Sequence, residues 1–220
     1  MKTTNPAEPV ALLLKQFGRT FAEELGIKVE ANTPSALFCL LLFALLSSTR
    51  ISHNIAMKAT RVLMQRGWKT PDKLAATTWK ERVKALDEAG YARYDERTAT
   101  MVGETAQTII DRYDGDLRKL RQAAQLNPAI ERKLLKEFKG IGDVGVDIFF
   151  REVQIAWQEL FPFLDERALT SARSLGLPSN PDALARLVRN RREFVRLAAA
   201  LVRVGFELKR GDFRLGTLAA

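Results

Sequence analysis

The chain has 220 residues, 46% of them hydrophobic, and carries 35 Lys+Arg against 26 Asp+Glu for a formal net charge of +9. That length gives one domain or two closely joined lobes with a sizeable core, and the basic balance suits a polyanionic partner, although a solvated basic surface gives the same balance. One cysteine, Cys39, and one histidine, His53, exclude a disulfide framework, a four-cysteine iron–sulfur site and a multi-histidine metal site within one chain.

Helix punctuation recurs along the chain. Val10, Leu13, Leu14, Phe17, Phe21 and Leu25 predict a helix from about Ala7 to Leu25, stopped by Gly26. Thr33-Pro34 reads as an N-cap followed by proline at the first helical position. The run it opens, Ala36 to Leu46, is apolar throughout. It falls short of the roughly 20 residues a membrane helix needs and reads as a helix buried on all sides. Cys39 within it is expected to be a buried structural thiol. With no secretory signal at Met1 to Pro9, a reducing cytoplasm is the expected compartment. A polar stretch, Ser47 to His53, precedes a helix of about Asn54 to Gln65 ended by Gly67. Thr70-Pro71 repeats the cap-and-proline signature. Thr78-Trp79-Lys80-Glu81 is a capping box whose helix ends at Gly90.

Gly90 to Glu96 is a loop rich in aromatic and charged residues, and Asp95 is expected to cap a helix closing at Asp114-Gly115. Asn127-Pro128 opens the next helix, which leads to Phe138-Lys139-Gly140-Ile141-Gly142-Asp143-Val144-Gly145-Val146-Asp147. A Gly-x-Gly turn between two helices leaves backbone N–H groups pointing outward at the second helix, a natural phosphate cradle. The second helix is expected to run to about Leu160. Phe161-Pro162-Phe163-Leu164 is then a short extended link, and Asp165 caps a helix that stops at Gly176. Pro181 opens a further segment, and a last long helix covers about Arg191 to Lys209. No run alternates with period two for long enough to make a strand, so the chain is read as all-α with about ten helices.

The turn Phe138 to Val146, the downstream link with Asp165, and the upstream apolar helix ending Leu46-Ser47-Ser48 together resemble the helix-hairpin-helix DNA glycosylase superfamily, most of all its endonuclease III branch. The resemblance runs from about Pro34 to Pro178. It implies a two-lobed all-α fold: a six-helix lobe over 34–158 ending in the hairpin, and a second lobe made of 1–33 plus 159–220. Three departures stand out. Val144 occupies the position of the lysine with which strand-cutting members form a Schiff base. No cysteine follows Cys39 to hold the family's iron–sulfur cluster. Phe138-Lys139 and Gly145-Val146 replace the usual Leu-Pro and Thr-Ala.

What the resemblance implies is a DNA-binding base-excision protein, a monofunctional glycosylase without AP-lyase activity. Its partner would be double-stranded DNA, with no membrane and a monomeric state. No cofactor is implied beyond a monovalent cation at the hairpin. Asp165 would stabilise the cationic sugar and orient water, although its position before Glu166-Arg167-Ala168 also suits a plain N-cap. Lys139, Gly140, Ile141, Gly142, Val144 and Gly145 would contact DNA phosphate, which positions a duplex without reading sequence. Asp143 in that turn would repel phosphate unless it caps the second helix. Base flipping needs a plug or pocket rim. Ser48, Thr49 and Arg50 in one loop and Tyr91, Arg93 and Tyr94 in the other are the candidates, while the two tyrosines also suit ordinary packing. Arg186, Arg189, Arg191, Arg192, Arg196 and Arg203 could line a DNA backbone or form a solvated face. Two other readings are a non-catalytic hairpin module that has lost the chemistry, and a helical interaction protein with no nucleic-acid role.

Overall fold

The computed structural model describes residues 7–49, 51–91 and 94–211, with backbone alone at 209 and 210. Among these residues every regular element is helical. In chain order they are α1 (Ala7–Phe17), α2 (Phe21–Leu25), α3 (Pro34–Ser47), α4 (His53–Gln65), α5 (Pro71–Ala75), α6 (Trp79–Glu88) and α7 (Asp95–Tyr113). Then follow α8 (Leu117–Ala123), α9 (Pro128–Leu135), α10 (Asp143–Val153), α11 (Glu166–Ser174), α12 (Pro181–Ala185) and α13 (Arg191–Arg210). Short 3-10 turns lie at Val29–Ala31 and Gln158–Leu160.

Most helix starts follow local capping chemistry. Thr33 accepts from the Ala36 N–H with Pro34 at the first helical position. Thr78 and Glu81 make the reciprocal capping box. Asn127 accepts from the N–H groups of Ala129 and Ile130. Three expectations are corrected. The single helix over 7–25 is broken at Gly18, where a Cβ would lie 2.2 Å from the Leu14 carbonyl oxygen, and the chain restarts at Phe21. Asp95 does not cap α7: the Tyr94 N–H closes a turn onto the Tyr91 carbonyl at 2.9 Å, which puts Tyr94 at the cap and Asp95 in the first turn. There its charge still favours the helix dipole. Finally, α10 ends at Val153, because the N–H groups of Ala156 and Trp157 both turn back to the Val153 carbonyl, at 2.8 and 2.9 Å.

The chain divides into two compact units, Leu25–Phe149 and Met1–Glu24 with Phe150–Ala220, compared with the 34–158 lobe read from the sequence. Glu152 explains part of the earlier second boundary. Its carboxylate accepts from the N–H groups of Phe21 at 3.2 Å and Ala22 at 3.1 Å, tying the last turn of α10 to the start of α2.

In the Leu25–Phe149 unit α3 is the centre. Every residue from Ala36 to Leu46 is buried, and α4, α7 and α8 pack around it. Each of its buried leucines contributes roughly 1.5–3 kcal/mol. Cys39 is buried there, and burial pushes its thiol up to about 11. In the other unit α1 and α11 pack against α13, whose Phe194, Leu197, Ala198 and Leu201 are fully buried. Arg196 and Arg203 of α13 turn into the fold. The Arg196 Nε donates to the Gly18 carbonyl at 2.6 Å, and Arg203 pairs with Glu24 at 2.7 Å.

Candidate functional site

The α9–α10 turn is anchored by two buried side chains, Phe138 and Ile141, with Phe138 edge-on to Tyr113 at 6.2 Å. The Ile141 N–H closes the turn onto the Phe138 carbonyl at 3.0 Å. Gly140 is required twice over: its φ is +89°, and a Cβ there would lie 2.6 Å from the Met101 Sδ. Gly142, Asp143 and Val144 are exposed. No described residue accepts from the N–H groups of Gly142, Asp143, Val144 or Gly145, and the first helical bond of α10 is Val146 N–H to Gly142 O at 3.0 Å. These are the donors that a helix N-terminus leaves unsatisfied, on exposed residues at Gly142, Asp143 and Val144 and on a buried one at Gly145.

Glu137 in the turn pairs with Arg112 of α7, and the two acids in the first turns of α10 are matched by cations from α9 or its end. Lys136 reaches Asp143 at 2.9 Å and Arg132 lies 3.6 Å from it. The Lys136 ammonium holds that carboxyl below its usual range. Arg132 also pairs with Asp147 at 2.6 Å. The repulsion that Asp143 would exert on an anion is thereby offset. Lys139 is held by Glu104 of α7 at 2.9 Å, with both side chains largely in solvent. Exchanging such a pair for a phosphate costs little, since exposed ion pairs contribute at most about 1 kcal/mol.

Beside the turn lies a pocket of about 320 Å³, lined by Ser48, Thr49, Tyr94, Arg97, Met101 and Gly140 among others. Three loop residues singled out from the sequence therefore meet the hairpin, and the Ser48 hydroxyl lies 3.2 Å from the Gly140 carbonyl. Arg97 and Met101 were not anticipated. Their signal was helical spacing from Tyr94 along α7, which places all three on one face. Arg50 and Arg93 lie outside the described residues. Tyr91 is a packing residue at 1% exposure. Its hydroxyl donates to the Leu46 carbonyl at 2.8 Å and sits 2.6 Å from the Thr49 hydroxyl, closing the end of α3. Tyr91→Phe should destabilise the unit by about 0.5–1.5 kcal/mol, because the Leu46 carbonyl keeps only the longer bond from the Thr49 hydroxyl at 3.2 Å. Chemical denaturation measures this, and a loss below a few tenths of a kcal/mol would contradict the assignment.

Asp165 belongs to the other unit. Its approach is shaped by Gln154, whose side chain donates to the Phe163 carbonyl and accepts from the Phe163 N–H, both at 2.9 Å. Asp165 is the N-cap of α11, its Oδ1 accepting from the Ala168 N–H at 2.9 Å. Its Oδ2 is ion-paired with Nη1 of Arg151, and each side chain is only 4% exposed. The Arg151 guanidinium stacks over the Phe21 ring at 5.4 Å, and its Nε has no hydrogen-bond partner among the described residues. Next to it, burial raises the Glu152 carboxyl above its usual range, while Arg151 and the two α2 N–H donors pull the other way. Arg151 is the partner of Asp165 that the sequence reading missed. Its signal was a charged pair, Arg151-Glu152, inside the apolar run of α10.

Among the described residues no cluster of three or more His, Cys, Asp or Glu could hold a metal ion, and no helix is long and apolar enough to cross a membrane. No protein-family model and no curated protein matches the chain. Two solved structures do. One is H. pylori 3-methyladenine DNA glycosylase (MagIII) bound to 1,N6-ethenoadenine, at 15% identity, covering 94% of this chain and 99% of that one with a TM-score of 0.57. The other is a trapped endonuclease III–DNA covalent intermediate in an estranged-adenine complex, at 14% identity, covering 91% and 85% with a TM-score of 0.48. The likeness to the first is one of fold: the chain shares the all-α fold of that structure.

Proposed function

We propose that the protein binds duplex DNA through the α9–α10 turn and acts as a monofunctional DNA glycosylase, releasing a flipped base with the help of Asp165. The observation that carries this reading is the turn itself. Its N–H groups at the head of α10 have no acceptor among the described residues, its backbone needs glycine at Gly140, and Asp143 beside them is paired with Lys136. Such a turn takes a phosphate by charge-assisted N–H bonds. Base release builds positive charge on the sugar, and a carboxylate beside it stabilises that charge and orients water. For Asp165 to do so, its Oδ2 must exchange Arg151 for the developing cation.

Val144 supports base release without strand cutting. It stands exposed where the resemblance places the Schiff-base lysine, and it carries no amine. A monovalent cation at the hairpin, which the resemblance implies, would be held by turn carbonyls that already accept one hydrogen bond each and keep a second lone pair. The Ser48 hydroxyl sits at the Gly140 carbonyl, the Ile141 N–H at the Phe138 carbonyl, and Lys136 at Asp143. No step is assigned to a cation.

One observation favours a second reading, a duplex-binding protein without chemistry: both Asp165 oxygens are engaged inside the unit. A panel of duplexes with damaged bases separates the two, with base release and abasic-site cleavage scored separately. The expected result is release from at least one duplex, no strand scission and no borohydride-trapped adduct. A trapped adduct would overturn the monofunctional assignment. Salt-dependent binding without release on any duplex would leave the second reading, and no binding at low salt would end both.

A further inference from the structure

We infer that Arg186, Arg189 and Arg191 form a second phosphate-binding surface for duplex DNA, on the unit that carries Asp165. The inference rests on the DNA-binding reading above and adds a contact that the α9–α10 turn does not supply.

The basic C-terminal region divides in the structure into two sets. Arg196 and Arg203 are committed to the fold through Gly18 and Glu24. Arg186 and Arg189 are exposed. No described carboxylate pairs with Arg186, and Arg189 comes only within 3.7 Å of Glu193, with its side chain 88% exposed. Glu193 is itself engaged at the start of α13, where its side chain accepts from the Arg189 N–H at 2.9 Å.

These arginines surround a groove of about 480 Å³. Asn190, Phe161 and Pro162 line it with them. Asp182 is the single carboxylate in the lining, against three guanidinium groups. The Arg191 guanidinium carbon sits over the Phe161 ring at 5.2 Å, and its buried Nε has no hydrogen-bond partner among the described residues. A guanidinium held over an aromatic ring is oriented before a ligand arrives, and its terminal N–H groups can bind an oxyanion at a lower ordering cost.

The array suits an extended polyanion. Its cations are spread along a groove, and the lining offers little apolar surface to a protein or lipid partner. Phe161-Pro162 begins the link whose end is Asp165, so a phosphate in the groove lies along the segment that delivers that carboxylate.

The test measures duplex affinity by fluorescence anisotropy across a salt series for the full chain, Arg186→Gln/Arg189→Gln, Arg186→Lys/Arg189→Lys, and a hairpin control, Lys139→Gln. Both arginines are exposed, so thermal melts should match the parent protein. The glutamine pair should bind roughly tenfold or more weakly near 0.1 M salt and lower the slope of log K against log salt by about 2. The lysine pair should keep most of both. An unchanged affinity and slope for the glutamine pair, with Lys139→Gln weakened, overturns this inference and leaves the hairpin reading standing. Failure of the parent protein to bind duplex overturns both. A defect confined to anionic phosphatidylserine vesicles, with duplex binding intact, also overturns it and assigns the surface to lipid headgroups.

Discussion

Asp165→Asn is expected to abolish base release and also to destabilise the protein by about 3–5 kcal/mol. The stability loss follows from burial. Arg151 and Asp165 are each 4% exposed, so removing the carboxylate charge leaves a guanidinium in the interior without its counter-ion. The cap itself survives, because asparagine accepts the Ala168 N–H about as well as aspartate does. The two effects separate in a double-mutant cycle. Arg151→Met alone leaves a buried carboxylate unpaired and should also destabilise. The combination Arg151→Met/Asp165→Asn exchanges the whole pair for packed neutral groups and should recover most of the loss, since replacing both partners of a buried ion pair is often near neutral. Denaturant unfolding of the four proteins gives the coupling energy. If the double variant regains stability but not base release, Asp165 is a catalytic residue as well as a cap. A single Asp165→Asn variant as stable as the parent protein would show that the buried pair does not contribute as described.

Gly140→Ala is the second large effect, and it should appear first in DNA binding. An L-residue at φ +89° is strained by roughly 1–2 kcal/mol. The new Cβ would also meet the Met101 Sδ at 2.6 Å, which forces the turn or the methionine to move. The strained φ and any shift of the turn displace the N–H groups of Gly142 to Gly145 from a common phosphate, whereas a shift of the methionine alone would not. Duplex affinity should therefore fall by about tenfold or more, with a stability loss of about 1–3 kcal/mol. Met101→Ala in the same chain relieves the contact but not the φ, so recovery should be partial. Gly142→Ala is the matched control. Its Cβ would meet nothing within 4 Å, and its stability should stay near that of the parent protein. A fall in its affinity would report close approach of a phosphate to that backbone. Parent-like duplex affinity for Gly140→Ala would remove the turn from the DNA contact.

Helix starts were legible in the sequence by itself. Thr33, Thr78, Asn127 and Asp165 cap their helices by bonds spanning two or three residues, so their chemistry is written locally. The apolar run of α3 announced its own burial for a similar reason: an all-apolar helix has no face to give to water. The Gly140-x-Gly142 turn and the position of Asp165 at the head of α11 were visible on the same grounds. Tertiary structure decided everything that depends on partners far apart in the chain. Tyr91 sits in a loop of mixed character, and the Leu46 carbonyl and the Thr49 hydroxyl, 45 and 42 residues away, draw its hydroxyl inward. Arg196 and Arg203 share a helix with the exposed Arg192, but Gly18 and Glu24 come from the opposite end of the chain to engage them. Asp165 changed most. Its cap is local, but its ion pair with Arg151 joins two helices and closes off a carboxylate that the sequence alone presents as free, because periodicity records which face of a helix is buried and not which charge waits there.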